Sequence, residues 1–142
     1  MTFSLIARCR KTGQFGMVIS SSSPAVAARC AHVRAGVGVA ASQNITDPGL
    51  GPELLDQMAQ GKSASDAMAA VIRGRPFIDY RQLLVIGAAG ECAIHSGAQV
   101  LGIWGDARGQ DCAAGAIFWP APTCLRPWSP GLRRHPAILA IG

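Results

Sequence analysis

The sequence predicts an α+β fold, with antiparallel strands first, two helices in the middle and strands again after them. Three observations carry that reading. Segments before residue 44 mostly alternate apolar and polar side chains, with the period of a strand. Two segments between residues 52 and 74 space their apolar residues as helices do, and each ends at a glycine. Two further strand-like runs, 81–87 and 92–96, flank the turn Ala88-Ala89-Gly90-Glu91.

In chain order, residues 2–9 form the first predicted strand, although Ile6 breaks its strict alternation. Arg10 to Gln14 is polar and holds Gly13, so it predicts a hairpin turn. Phe15 to Ser21 predicts the second strand, with Met17, Val18 and Ile19 buried. Four serines, Ser20 to Ser23, end at Pro24 and suit a polar loop at a strand end. Ala35 to Gln43 predicts the third strand, whose glycines and alanines suit a close approach of another layer. Its Gly36-Val37-Gly38 is not followed by a helix at dinucleotide-loop spacing. Asn44 to Gly51 is a turn-rich link. Pro52 to Ala59 predicts one helix, closed by Gly61, with Leu54, Leu55 and Met58 on one face. Ser63 predicts the cap of a second, with Asp66 three residues on and Gly74 at its end.

The chain has 142 residues, enough for one domain with one core. Its 49% hydrophobic and 15% charged content describes a compact globule rather than a disordered segment. It contains no apolar run of membrane-spanning length and no signal-peptide pattern, which predicts a cytoplasmic protein. Five widely spaced cysteines form neither a Cys-x-x-Cys pair nor a zinc pattern, so they predict free thiols. The net charge of +5 invites a nucleic-acid reading. However, residues 1–115 carry ten basic and eight acidic residues, and the body has no basic stripe with interleaved aromatics. Nucleic-acid and membrane partners are therefore not expected.

From Ala116 the texture changes. Residues 116–142 hold five of the nine prolines, two of the three tryptophans, three arginines and no acid. Prolines at 120, 122, 127 and 130 stand too close for a helix or a central strand. A one-base shift of the reading frame near Gly115 turns Phe118-Trp119 into leucine and Trp119-Pro120 into alanine. Permitted wobble bases extend this to Gly-Asn-Leu-Leu-Ala-Ser-Pro, a turn, an apolar segment and a helix start. We read residues 1–115 as native and 116–142 as a frameshift tail outside the native fold.

A hydroxyl residue, Thr2, stands directly behind Met1 and opens a strand. With Met1 removed, Thr2 carries an α-amine beside its hydroxyl, as N-terminal nucleophile chemistry requires. Other stretches place this dipeptide in a pattern: Ser20 to Ala28, Ala35 to Gln43, Asp47-Pro48 with Gly51, Arg81-Gln82-Leu83, His95 to Ala98 and Trp104-Gly105. Together with Thr2 to Arg8 and in this order, they resemble the family of unknown function numbered 1028, assigned to the N-terminal nucleophile (Ntn) hydrolase superfamily. The resemblance runs from Met1 to Gly115.

The resemblance implies an Ntn-hydrolase-type αββα sandwich whose first strand presents the nucleophile. Family members are longer, so the chain is expected to hold the N-terminal half of that fold. It is then expected to be marginal or aggregation-prone, with an unpaired sheet edge, and inactive as it stands. The implied activity of the intact site is amide hydrolysis on a small molecule, without cofactor or metal, with Thr2 as the nucleophile. Intact relatives are expected to form homo-oligomers. Ser21 is expected to bond the α-amine, Gln43 or Asn44 to face the substrate, and Arg81 to pair with a carboxylate or stand solvated. His95 reads as a satisfied strand histidine. The alternative reading is a non-catalytic relative that uses the sandwich for binding or assembly.

Overall fold

A computed structural model of the chain describes residues 1–118. Its strands are β1 (Thr2–Arg8), β2 (Phe15–Ser21), β3 (Ala31–Arg34), β4 (Gly38–Asn44), β5 (Arg81–Gly87), β6 (Cys92–Ser96), β7 (Gly105–Gly109) and β8 (Cys112–Ile117). Its helices are the single turn α1 (Ala27–Cys30), α2 (Leu50–Ala59) and α3 (Ala64–Ile72). The fold is α+β, as predicted. Two four-stranded antiparallel sheets, ordered β2-β1-β8-β7 and β3-β4-β5-β6, pack face to face. Ile6 and Ala113 of the first sheet meet Val39, Ala41, Leu84 and Ile86 of the second.

The helices bury their stripes on the other face of the second sheet. Leu50, Leu54, Leu55, Met58, Met68 and Val71 pack on Ala40, Leu83, Val85 and Ala93. Each of these large buried side chains is worth about 1.5–3 kcal/mol. Gly38 answers the close approach expected of the small-residue strand. A Cβ there would stand 2.5 Å from the Ile86 carbonyl oxygen and 2.6 Å from Met58 Cε.

Local chemistry sets the ends of the elements. The Arg10–Gln14 turn closes through Cys9 N–H on the Gln14 carbonyl at 2.8 Å, with Gly13 at a φ of +75°. Ser63 caps α3 as predicted, its Oγ accepting from Asp66 N–H at 3.1 Å and donating to Asp66 Oδ2 at 2.7 Å. From the far side, Glu91 Oε1 accepts the Ala64 N–H at 3.2 Å. Ser63→Ala should destabilise the chain by about 1 kcal/mol, read as a lower urea midpoint at unchanged m-value.

The structure departs from the sequence reading in five places. Val18, expected buried, is 56% exposed, because β2 is an edge strand whose outward side chains meet solvent. The expected strand 35–43 starts only at Gly38, because Ala35 to Val37 is a turn with Gly36 at a φ of +72°. Residues 31–34, expected in no element, form the edge strand of that hairpin. The first long helix begins at Leu50, two residues before Pro52, where Asp47 Oδ1 accepts the Gly49 N–H at 3.0 Å. Finally, β7 and β8 lie outside the predicted elements. The predicted boundary at residue 115 lies inside β8, whose Gly115, Ala116 and Ile117 pair with Ser4, Phe3 and Thr2. Residues 119–142 of the expected tail lie outside the described residues.

Cys9, Cys30, Cys92 and Cys112 are thiols rather than disulfides, in line with the sequence; Cys124 lies outside the described residues. Two of them are poised differently. The Thr12 side chain hydrogen-bonds Cys9 and lowers its thiol pKa, while burial raises that of Cys92. The thiolate is the alkylated form. Cys9 should therefore react with iodoacetamide at a lower pH than a free cysteine, and Cys92 only at a higher one. Peptide mass spectrometry across a pH series checks both, and Thr12→Val should move the Cys9 profile upward.

No helix among the described residues is long and apolar enough to cross a membrane.

Candidate functional site

Strand alternation decides which side chains reach the space between the sheets. Along β1, Thr2, Ser4 and Ile6 face inward, while Leu5 faces out and packs with Cys112 and Ala114. Val39, Ala41 and Gln43 of β4 face inward, as do Gln82, Leu84 and Ile86 of β5. The layer between the sheets is therefore apolar at one end and polar at the other. The polar end gathers the start of β1, the end of β2, the end of β4, the start of β5 and the end of β6.

A hydrogen-bond chain crosses the sandwich at that end. Ser4 Oγ donates to Gln43 Oε1 at 2.6 Å. Gln43 Nε2 donates to Gln82 Oε1. Gln82 Nε2 donates to Ser96 Oγ at 3.0 Å and to the Gly105 carbonyl at 3.3 Å. Ser96 Oγ then donates to Asp106 Oδ2 at 3.0 Å. Ser4 and Gln82 are fully buried and Gln43 is 1% exposed. Such groups cost about 1–3 kcal/mol each when unpaired, so each link holds the next in a single orientation. Ser4, Gln82, Ser96 and Asp106 escape a reading of the sequence as site residues. The available signal is a glutamine at an inward position of each of two otherwise apolar strands.

Thr2 stands beside this chain, two residues before Ser4 and on the same face. It is 9% exposed, and its Oγ1 lies 2.9 Å from Ser21 Oγ, its register partner on β2. Ser21 Oγ also accepts the Ser23 N–H at 3.0 Å. The Arg29 guanidinium holds this serine loop, bonding Ser23 Oγ and, at 2.8 Å, the Pro24 carbonyl. Met1 is 55% exposed, open to an aminopeptidase. At the polar end, then, a hydroxyl sits one residue inside the chain start, positioned by a second hydroxyl.

The other expected residues are placed differently. Ser21, expected at the α-amine, bonds the Thr2 hydroxyl. Gln43 is committed to the internal chain and is not open to a ligand. Asn44 sits at a φ of +79° and closes a turn, donating to the Tyr80 carbonyl and accepting from Leu101 N–H at 3.5 Å. Arg81 pairs with Asn44 in the β4–β5 ladder, so by alternation it lies on the opposite face of its strand from Gln82. His95 Nε2 is 3.3 Å from the Ile78 carbonyl, a satisfied strand histidine. Among the described residues, no group of three or more His, Cys, Asp and Glu side chains is arranged to hold a metal ion.

A family model described as a family of unknown function, DUF1028, matches residues 2–120. No curated protein matches. A crystal structure of a Silicibacter pomeroyi protein of the same family is similar, with a TM-score of 0.89 at 23% identity. The likeness covers 94% of this chain and 62% of that one, so the chain spans about three fifths of that protein's length. At that identity the likeness speaks for the fold.

Proposed function

The chain belongs to the DUF1028 family of unknown function, so its chemistry must be read from the site, and we propose that the site is that of an Ntn-type amidohydrolase with Thr2 as nucleophile. The observation that carries this reading is the Thr2 hydroxyl, nearly buried at the polar mouth of a two-sheet sandwich and 2.9 Å from Ser21 Oγ. Two sheets with helices on one face also supply three of the four layers of an αββα sandwich.

Removal of Met1 frees the Thr2 α-amine. The neutral amine accepts the Oγ proton, directly or through one water, and Oγ attacks the amide carbonyl carbon. The carbon–nitrogen bond breaks, and the leaving amine takes the proton back from the ammonium. Water, deprotonated by the same amine, then cleaves the ester and restores the hydroxyl. The Ser21 hydroxyl orients Oγ between these steps.

Amide turnover belongs, in this reading, to the intact family site. The present chain carries the nucleophile and is tested by the first half-reaction. Intact-mass spectrometry should show Met1 removed, and an activated ester should leave one hydroxylamine-labile acyl group that maps to the Thr2 hydroxyl. Retained Met1, or a hydroxylamine-labile adduct that persists in Thr2→Ala, would leave the sandwich as a binding or assembly module.

A further inference from the structure

The link from the first sheet to the second runs past Thr2. Ser21 ends β2 in register with Thr2, and Ala31 opens β3 opposite Ala41, two residues before Gln43. β2 meets β3 at one edge of the sandwich, and β7 meets β6 at the other. Residues 22–30 therefore wall the polar mouth at the edge nearer Thr2. Within them Ala25 holds a φ of +49°, a conformation that is costly for a residue with a Cβ. Arg29 ties this turn down. Its Nη1 donates to the Pro24 carbonyl at 2.8 Å and the Ala25 carbonyl at 3.4 Å, and its Nη2 to Ser23 Oγ.

These bonds position the guanidinium without answering its charge. Arg8, Arg10, Arg34 and Arg75 each meet a carboxylate. The partners of Arg29 are neutral oxygens. A guanidinium carries five N–H donors, and Nε–H and the second Nη2–H of Arg29 have no acceptor among the described residues. The residue is exposed, so these two donors are open to solvent. The path from them to the nucleophile is short. Arg29 Nη2 bonds Ser23 Oγ, Ser23 N–H bonds Ser21 Oγ at 3.0 Å, and Ser21 Oγ lies 2.9 Å from Thr2 Oγ1. With one serine between these bonds, the guanidinium stands at most about 13 Å from Thr2 Oγ1. A cation pinned at both ends of its loop is preorganised for a ligand.

We infer that Arg29 receives a substrate carboxylate at the mouth of the Thr2 site, an assignment that rests on the Thr2 reading and narrows it to amides bearing a free acid. Two open N–H donors on one guanidinium match the two oxygens of a carboxylate. Charge count selects a monoanion, because the groups around Arg29, the hydroxyls of Ser21, Ser23 and Thr2, are neutral. Charge also orients the substrate. Asp106, bonded to Ser96, stands on the β6–β7 edge, away from Arg29, so an acid lies with its carboxylate toward β2. Scale selects the size. An extended chain spans about 3.3–3.6 Å per residue, so the carboxylate lies within about three residues of the scissile carbonyl. The substrate class is a small N-acyl amino acid or short peptide with its carboxylate free.

The test is an NMR titration of the isotope-labelled Thr2→Ala chain with N-acetyl-glycylglycine and with its carboxamide. The acid should bind about fivefold more tightly, the upper range for one solvent-exposed ion pair, and should move the Arg29 Nε–H resonance, which the carboxamide leaves in place. With Arg29→Met added, the ratio of acid to carboxamide affinity should fall to about one. A residue that only clamps the loop would weaken both ligands alike and leave that ratio unchanged. Should Arg29→Met loosen the loop until neither ligand binds, Arg29→Lys reads the same quantity, because a point charge replaces the planar fork and the ratio should drop. Equal binding of acid and carboxamide by the Thr2→Ala chain, binding of neither, an unchanged ratio in the Arg29 variants, or tighter binding of inorganic phosphate overturns the assignment. The Thr2 hydroxyl has no part in this titration. A failure here removes the role of Arg29 and leaves an adduct on Thr2 standing, whereas a missing adduct leaves a carboxylate site without a nucleophile.

Discussion

Thr2→Ala should reduce ester-linked acylation of the chain start by an activated ester, the hydroxylamine-labile adduct, on the order of 10⁴-fold or more, while acylation of the α-amine, which gives a stable amide, is unaffected. Loss of a nucleophile removes the bond-forming atom, and comparable deletions in hydrolases cost at least this much. Thr2→Ser keeps both the hydroxyl and the α-amine and should stay within about tenfold of the parent. Ser21→Ala removes one neutral hydrogen bond to Oγ1, worth about 0.5–1.5 kcal/mol, and should slow acylation by up to about tenfold. The pH profile separates this mechanism from a merely accessible hydroxyl. An α-amine ordinarily titrates at about 7.7–8.0. Below that value it is protonated and accepts no proton from Oγ, so the rate should rise with pH and level off once the amine is neutral. A form of the chain that keeps Met1 has an amide nitrogen at Thr2 in place of the amine and should show no such step.

How far the sequence speaks for this site follows from the physics of each element. The first strand, the hairpin turn at Gly13 and the Ser63 cap are legible because local chemistry fixes them: alternation, a positive φ, a hydroxyl three residues from an acid. The strand β8 is not, although it is central, paired with β1 on one side and β7 on the other. Its Cys112-Ala113-Ala114-Gly115-Ala116-Ile117 has small side chains with weak strand preference and little alternation. Tertiary burial makes it a strand, and pairing with a strand from the opposite end of the described chain is invisible to local pattern. The site divides in the same way. Thr2 and Ser21 can be named because each stands at a strand end that the pattern locates. Gln82 and Ser96 cannot, because their partners are set by the register between β4, β5 and β6. Asn44 shows the converse. It looks like a substrate residue at a strand end, and it is taken up by a turn.

Gln82→Met should be among the most destabilising single changes at the polar end, at about 3 kcal/mol. The substitution keeps an unbranched chain of similar length, so packing changes little. What it removes are the acceptor of Gln43 Nε2 and the donor to Ser96 Oγ and the Gly105 carbonyl. Gln43 is then a buried amide with an unpaired nitrogen, and each such group costs about 1–3 kcal/mol. With an m-value of about 1.5 kcal/mol/M, the urea midpoint should fall by about 2 M. Gln43→Met should cost a similar amount, because it orphans Gln82 Oε1 and the Ser4 hydroxyl. The double variant decides whether the chain acts as a unit. With both amides gone, neither leaves the other unpaired, and its cost should fall short of the sum by about 1–3 kcal/mol. Strict additivity would show that the glutamines act independently and that the bonds between them carry nothing. The double variant also separates stability from chemistry. Ser4 lies two residues from Thr2 on the same inward face, and the Gln43 oxygen is the fixed point that holds it. If the crossing chain positions the start of β1, the double variant should recover stability relative to the sum and still acylate at Thr2 more slowly than the parent.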